Sequence, residues 1–493
     1  MTGFPEFFNF YQELSPKFTV ENTPEYAVQP QLLLWNEDLQ RKLDIPLDSE
    51  DKHIEKYLVG NQSLPNCPTL ALAYSGHQFG HFNPLLGDGR AHYLGSFLTE
   101  DSSANKHSFD LQLKGSGATN FSRGGDGFCA LGPAVREFVM SKAIAALNVP
   151  TTHCLSVVVT GAQVYRQQHL PGAVVCRVAS SHIRVGSFQY LALNNDVDGL
   201  HTLMELAIAR HFPEITEQGD ERILSFINAV CNGQIALIVE WLRVGFIHGV
   251  MNTDNCLVSG ETIDYGPCAM MESFGFDTVF SSIDKQARYA FGNQPNMANW
   301  NCARLAESLI TLMSCDEDIA IEKLSEILNT FSVTFDKAYH AMWAKKLGIL
   351  QWQAEEDASL LTELFALMKK HKLDYTNTFA ALTLSVSVAL VANNSHTAFI
   401  VPTALSEWFA LWQQRISEYK AEDVFTLMKA NNPALIPRNH LVEEVIREFY
   451  ELGESPLWQQ WQTLLATPYD YKEYDEKYTA MADDKPYQTF CGT

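Results

Sequence analysis

The stretches His248-Gly-Val-Met-Asn-Thr-Asp-Asn255 and Ile263-Asp-Tyr-Gly266 decide how this chain is read. Asp254, Asn255 and Asp264 are hard oxygen donors on either side of a short apolar segment, Cys256-Leu-Val258. A hairpin there brings the three side chains together. A cluster of that kind suits Mg²⁺ or Mn²⁺ beside a polyphosphate.

The spacing echoes the protein-kinase catalytic loop, in which a His and an Asn precede Asp-Phe-Gly. His248 and Asn255 are seven apart, and Asp264-Tyr-Gly266 stands for the Asp-Phe-Gly. The kinase base is missing. Two residues after His248 the chain has Val250, which accepts no proton.

Upstream, Leu86-Gly-Asp-Gly-Arg90 reads as a tight Gly-rich turn before an apolar strand from Ala91, a phosphate cradle or a plain hairpin turn. His77 and His81 are four apart, a metal-pair spacing, but Gly76 and Gly80 argue against the helix that would align them. Phe109-Asp-Leu-Gln-Leu-Lys114 alternates like a half-buried strand, then a flexible loop runs from Gly115 to Gly127. Pro133 opens a predicted helix over 133–147 that carries Glu137. Lys114 and Glu137 are read either as a buried phosphate-site pair or as a surface Lys and an unrelated helix Glu. A hairpin is predicted from Leu155-Ser-Val-Val-Val-Thr160 through the turn Gly161-Ala-Gln163 to Val164-Tyr-Arg166. Arg177 follows in the apolar strand 173–179, where it needs an anion or a route to solvent. Lys114, Arg177 and Arg184, with Arg90, are read either as a cationic set that offsets the roughly four negative charges of ATP or as separate surface residues.

After about residue 200 helical periodicity takes over, with segments near 200–212, 221–244, 303–313, 318–345, 356–371, 376–391, 403–418 and 439–452. Five strands early and helices late predict an α+β, two-lobed order. The expected layout is an N-terminal extension over 1–70, a strand-rich lobe over 71–195, a lobe with the catalytic and metal loops over 196–320, and a helical extension over 321–493.

At 493 residues the chain exceeds one core, and 46% hydrophobic with 19% charged residues describes a globular protein. A formal charge of −23 argues against nucleic acid or an anionic membrane as partner. Ten cysteines without a C-x-x-C pair fit a reducing compartment and no zinc cluster. With neither a leader pattern nor an apolar run of about 18 residues evident, a bacterial cytoplasmic protein is expected. Cys491, near the end, reads as a redox-accessible thiol or as a terminal cysteine without a role.

Taken together, Gly76-His-Gln-Phe-Gly80, Leu86-Gly-Asp-Gly-Arg-Ala91, Leu113-Lys-Gly-Ser-Gly117, Gly125-Asp-Gly127, Arg136-Glu137, Arg177-Val-Ala-Ser-Ser-His-Ile-Arg-Val-Gly186, the two opening stretches, Asn293-Gln-Pro295 and Phe490-Cys-Gly-Thr493 resemble the selenoprotein O family. These are kinase-like protein adenylyltransferases. The resemblance implies a protein-kinase-like two-lobe fold, with a strand-rich N-terminal lobe and a helical C-terminal lobe. It implies ATP bound reversed relative to kinases, and AMP passed to a Ser, Thr or Tyr hydroxyl of a protein; the many flexible, hydroxyl-bearing loops of this chain add self-modification as a further reading. It further implies that Gly87, Gly89, Arg90, Lys114, Asp126, Gly127, Arg177, Arg184 and Asp264 bind ATP. Glu137 would pair with Lys114, Asn255 and Asp264 would hold Mg²⁺ or Mn²⁺, Asp254 would be the general base, and Cys491 would be a redox site. The chain departs from many members at Phe128, where they have Arg, and at Leu85, where they have Gln. Rival readings are UMP transfer from UTP, γ-phosphoryl transfer, and a nucleotide-binding scaffold without turnover.

Overall fold

Alternation of side chains along two long strands sets the layers of this fold. Leu111 and Leu113 point to one face with Leu94, Val174, Cys176 and Val178, while Tyr93 and Val175 belong to the core on the other. Gln112 and Lys114, of the opposite parity to the two leucines, share that second face.

The computed structural model describes residues 7–12, 14–100, 106–388, 399–472, 474–482 and 487–490. Its strands are β1 (Thr19–Glu21), β2 (Gln31–Trp35), β3 (Leu70–Leu72), β4 (Gly76–Gln78), β5 (His81–Asn83), β6 (Ala91–Glu100), β7 (Lys106–Lys114), β8 (Cys129–Ala130), β9 (His153–Tyr165) and β10 (His169–Ala179), with a short pair near residue 250, β11 (Phe246–Ile247) and β12 (Ala269–Met270). The large sheet runs β1-β3-β6-β7-β10-β9-β2, with β8 also on β10. Its pairs are antiparallel, and the register sets Lys114 between Ala91 and Val175, and Gln112 between Tyr93 and Arg177. One face is covered by the short helices α1 (Glu37–Leu43) and α2 (Ile54–Leu58). The other receives α3 (Leu131–Ala146), followed in the chain by α4 (Val185–Leu193), α5 (Val197–His211) and α6 (Asp220–Val244). Then come α7 (Gln294–Leu309), α8 (Glu317–Leu347) and further helices to residue 479.

The architecture is therefore α+β, and most of the expected helices are present. Three readings change. Residues 155–166 do not form a hairpin. β9 runs unbroken through Gly161, and the chain reverses at 166–168. Gly161 takes φ +79°, and the register shifts opposite it between Pro171 and Ala173, so the glycine makes a bulge. Residues 1–70, expected as an N-terminal extension, contribute β1 and β2 to the main sheet. Val185–Leu193, of which only Val185 and Gly186 belong to a motif read in the sequence, is a helix. α6 is long and apolar enough to cross a membrane by length and composition. In the fold it packs against α7 and α8, with 14 of its residues buried. The nine described cysteines are free thiols; Cys491 lies outside the described residues.

A buried polar node ties the sheet to the helices. Asp110 of β7, wholly buried, accepts from Tyr11 Oη at 2.6 Å, Ser96 Oγ at 2.7 Å, His182 N at 3.2 Å and Arg210 of α5 at 2.8 Å. Burial opposes its charge, but Arg210, His182 and Tyr11 outweigh that and hold the carboxyl below its ordinary value. Asp110→Ala leaves Arg210 buried with its charge uncompensated, so urea unfolding should show a loss of about 3–5 kcal/mol. Because the folded value is depressed, the stabilisation is complete above about pH 4, the unfolded carboxyl value, and fades as pH falls below it.

Candidate active site

Where β6 begins and β7 ends, the sheet faces the loop 248–255 across a cavity of about 400 Å³. Arg90, Lys114 and Arg177 line it from the sheet, Arg184 from the start of α4, Asp254 and Asn255 from the loop, and Asp264 from the segment that follows it. The opening sequence motifs thus converge on one hollow.

The innermost part is a closed set of four charges. Lys114 Nζ lies 2.6 Å from Glu137 Oε2 and 2.9 Å from Asp264 Oδ1. Arg177 donates through Nε to the other Glu137 oxygen and stands 3.4 Å from the same Asp264 Oδ1. Lys114, Glu137 and Arg177 are each no more than 5% exposed. Lys114 and Glu137 thus form a buried pair and are not a surface Lys and an unrelated helix Glu. Burial works against the Glu137 charge, yet Arg177 and Lys114 prevail and hold its carboxyl below the usual range. For Asp264 burial is likewise outweighed, by Lys114, Arg177 and Arg90 together. Asp264 sits at φ +66°, in the left-handed region that few residues other than glycine adopt, Asp and Asn among them.

Arg184 is the second anchor. It donates to the Asp254 backbone oxygen at 2.9 Å, stands 3.5 Å from Asp88 Oδ1 and lies over the Tyr74 ring at 4.4 Å. Asp88 in turn accepts from Gln112 at 3.1 Å and from Leu72 N at 3.2 Å. The turn it occupies is stacked on the following loop: Thr119 Oγ1 donates to Asp88 O at 2.8 Å, and Ser122 Oγ to Gly89 O. A Cβ at Gly87 would stand 2.3 Å from the Phe121 ring, which is why glycine is required there.

Not every expected nucleotide contact faces the hollow. Gly89 does, whereas Gly87, Asp126 and Gly127 are not among its lining residues. Asp126 pairs with Arg166 at 2.7 Å, and Gly127 (φ +70°) packs on the Gly117 backbone, so both brace the loop. Arg123, at the exposed tip of that loop, lines the cavity instead. Sequence reading missed it, together with Tyr74, Gln78, Phe79, Asn252 and Ile283; only the Gly-rich setting of Arg123 hinted at its place.

In the loop itself His248 Nδ1 accepts from Val250 N at 3.3 Å, which leaves Nε2 to donate to Ile263 O at 2.7 Å. The ring is a neutral strut between the two motifs, its pKa lowered by burial. Asn255 Nδ2 donates to Val250 O at 3.2 Å, turning its Oδ1 the other way. Asp254 is 8% exposed; burial pushes its carboxyl up to about 6 against the pull of Arg184. Its Oδ1 is buried with no hydrogen-bond partner among the described residues. Asn255 and Asp264 both line the cavity and carry side-chain oxygens, the donor type that a hard divalent cation takes. No cluster of three or more His, Cys, Asp or Glu suited to a metal occurs among the described residues. His77 and His81 lie on the β4–β5 hairpin, His77 against Gln189 and Trp300 and His81 exposed, so they form no metal pair.

Cations gathered round an oxygen-rich loop on an α+β frame define a nucleotide-handling enzyme. The family described as protein adenylyltransferase SelO matches residues 5–467, and the chain belongs to that family. It is 51% identical over 484 residues to a protein nucleotidyltransferase YdiU of Pseudoalteromonas translucida, covering 98% of this chain and 99% of the relative. Relatives of the same name from Teredinibacter turnerae and Bacillus thuringiensis are 46% and 44% identical, each over 98% of this chain and at least 98% of their own length. The chain is an enzyme of the nucleotidyltransferase class.

Proposed function

We propose that this enzyme transfers AMP from ATP to Ser, Thr or Tyr hydroxyls of proteins, with ATP reversed relative to protein kinases. The observation that carries the reading is the pairing of Val250, inert at the kinase base position, with Asp254, a buried carboxylate at the cavity wall four residues later. Lys114, Arg177 and Arg90 receive the inward γ- and β-phosphates, and the α-phosphate faces Asp254. The acceptor oxygen attacks the α-phosphorus, the bond from that phosphorus to the bridging oxygen breaks, and pyrophosphate leaves. The hydroxyl proton passes to Asp254, whose raised pKa makes it a stronger base than an exposed carboxylate.

Asn255 and Asp264 would hold Mg²⁺ or Mn²⁺, which would neutralise charge on the phosphates. Lys114 and Arg177 arrive already balanced by Glu137 and Asp264, so a triphosphate needs that added positive charge. Stripping divalent ions with EDTA should therefore abolish transfer, and Mg²⁺ or Mn²⁺ should restore it. Transfer that persists in the chelator would rule out this use of Asn255 and Asp264.

In the same reading the frame is protein-kinase-like, with residues 71–195 and 196–320 as its lobes, the first completed by the strands that 1–70 adds to its sheet, and 321–493 as a helical extension. A bacterial cytoplasmic setting, with protein and neither nucleic acid nor membrane as partner, accords with the charge of −23.

A further inference from the structure

Phosphate binding leaves the motif Gly76-His-Gln-Phe-Gly80 unexplained. β4 and β5 pair as a hairpin against the loop 252–254. Three consecutive hairpin residues hold three consecutive loop residues. His77 N donates to Thr253 Oγ1 at 2.7 Å, Gln78 Nε2 to Asp254 Oδ2 at 3.2 Å, and Phe79 N to Asn252 Oδ1 at 3.0 Å. The base of the hairpin is pinned on α4. Ser75 N donates to Gly186 O at 3.0 Å, an approach so close that a Cβ at Gly186 would stand 2.1 Å from Ser75 O. On the far side His77 takes the Gln189 amide at 2.9 Å.

Gly76 completes the clamp. A Cβ there would stand 2.7 Å from Asp254 Oδ1, so that oxygen is sealed against the hairpin backbone. Oδ2, held by Gln78, is left as the oxygen through which the carboxylate meets the cavity.

We propose that Gln78 is a positioning residue for nucleotidyl transfer, fixing the Asp254 carboxylate so that Oδ2 faces the attacking hydroxyl. The proposal rests on Asp254 acting as the base. A carboxylate oxygen has two lone pairs, so Oδ2 accepts from Gln78 and from the acceptor hydroxyl together. Rotation about the last bond of an Asp is soft, and without the amide the carboxylate loses its single orientation. Orientation enters the rate and not ground-state nucleotide binding. The hairpin thus supplies from 176 residues away the order that the catalytic loop lacks by itself.

The test compares the full-length wild type with Gln78→Ala, Gln78→Glu, Asp254→Ala and the double variant Gln78→Ala/Asp254→Ala. Each is assayed for AMP transfer from ATP with Mg²⁺ or Mn²⁺ and for its thermal midpoint. Gln78→Ala should lower kcat about ten- to a hundredfold, with KM for ATP and the midpoint unchanged. Gln78→Glu should fall further, because it sets like charges against each other. The double variant should be no slower than Asp254→Ala alone, since the amide acts only through that carboxylate. An unchanged kcat, a raised KM at constant kcat, or losses that multiply in the double variant would overturn the proposal. A wild type that transfers nothing removes the base assignment and this proposal with it; an active wild type matched by Gln78→Ala removes this proposal alone.

Discussion

Asp254→Ala should lower the rate of nucleotidyl transfer by about 10²- to 10⁴-fold while ATP affinity stays nearly constant. The separation follows from where the charges lie. The groups proposed to hold the phosphates are Lys114, Arg177 and Arg90, and the first two are fixed by Glu137 and Asp264. Arg184 meets Asp254 through its backbone oxygen, which the alanine variant keeps. Truncation therefore removes the proton acceptor and leaves the phosphate cradle standing. Rates of labelled AMP incorporation, set beside calorimetric titration with ATP, measure the two quantities independently. A parallel loss of affinity would make Asp254 part of the nucleotide site, and an unchanged rate would place the base elsewhere.

Glu137→Ala should produce the largest loss of stability from any single change at the site, about 3–5 kcal/mol in the absence of nucleotide. Glu137 divides its two oxygens between Lys114 and Arg177, all three being buried. Without it, Asp264 alone faces two buried cations. ATP supplies phosphate charge at the same place, so part of the lost stability should return when it binds. Chemical unfolding with and without ATP reads both effects. A variant as stable as wild type without nucleotide would show that the four-charge set contributes nothing to the fold.

The parts of this account legible in the sequence are those whose signal is local. The alternation ending at Lys114, the helix carrying Glu137, and the oxygen donors at 254, 255 and 264 each occupy a short window, and the structure brings them to one cavity. An arginine in the apolar strand 173–179 requires an anion or a route to solvent, and Glu137 and Asp264 supply the anion. The hairpin misread at Gly161 shows where local rules stop. A glycine between two β-rich runs is compatible with a turn or a bulge, and only the pairing of β9 with β10 decides between them. Asp126 and Gly127 are expected at the nucleotide from the family resemblance alone, and the partners that brace them in their loop, Arg166 and Gly117, could not be chosen from spacing. The clamp of residues 77–79 on 252–254 left no trace in periodicity at all, since the bonded residues are more than 170 positions apart.

Intact-protein mass after incubation with ATP and Mg²⁺ or Mn²⁺, alone and with a cell extract, beside Asp264→Ala, tests the central claim most directly. A gain of about 329 Da, one AMP unit, that is absent in the variant is the predicted result. A gain of about 80 Da, one phosphoryl group, or a gain of about 306 Da given by UTP but no gain from ATP, would contradict it, as would no gain on any protein.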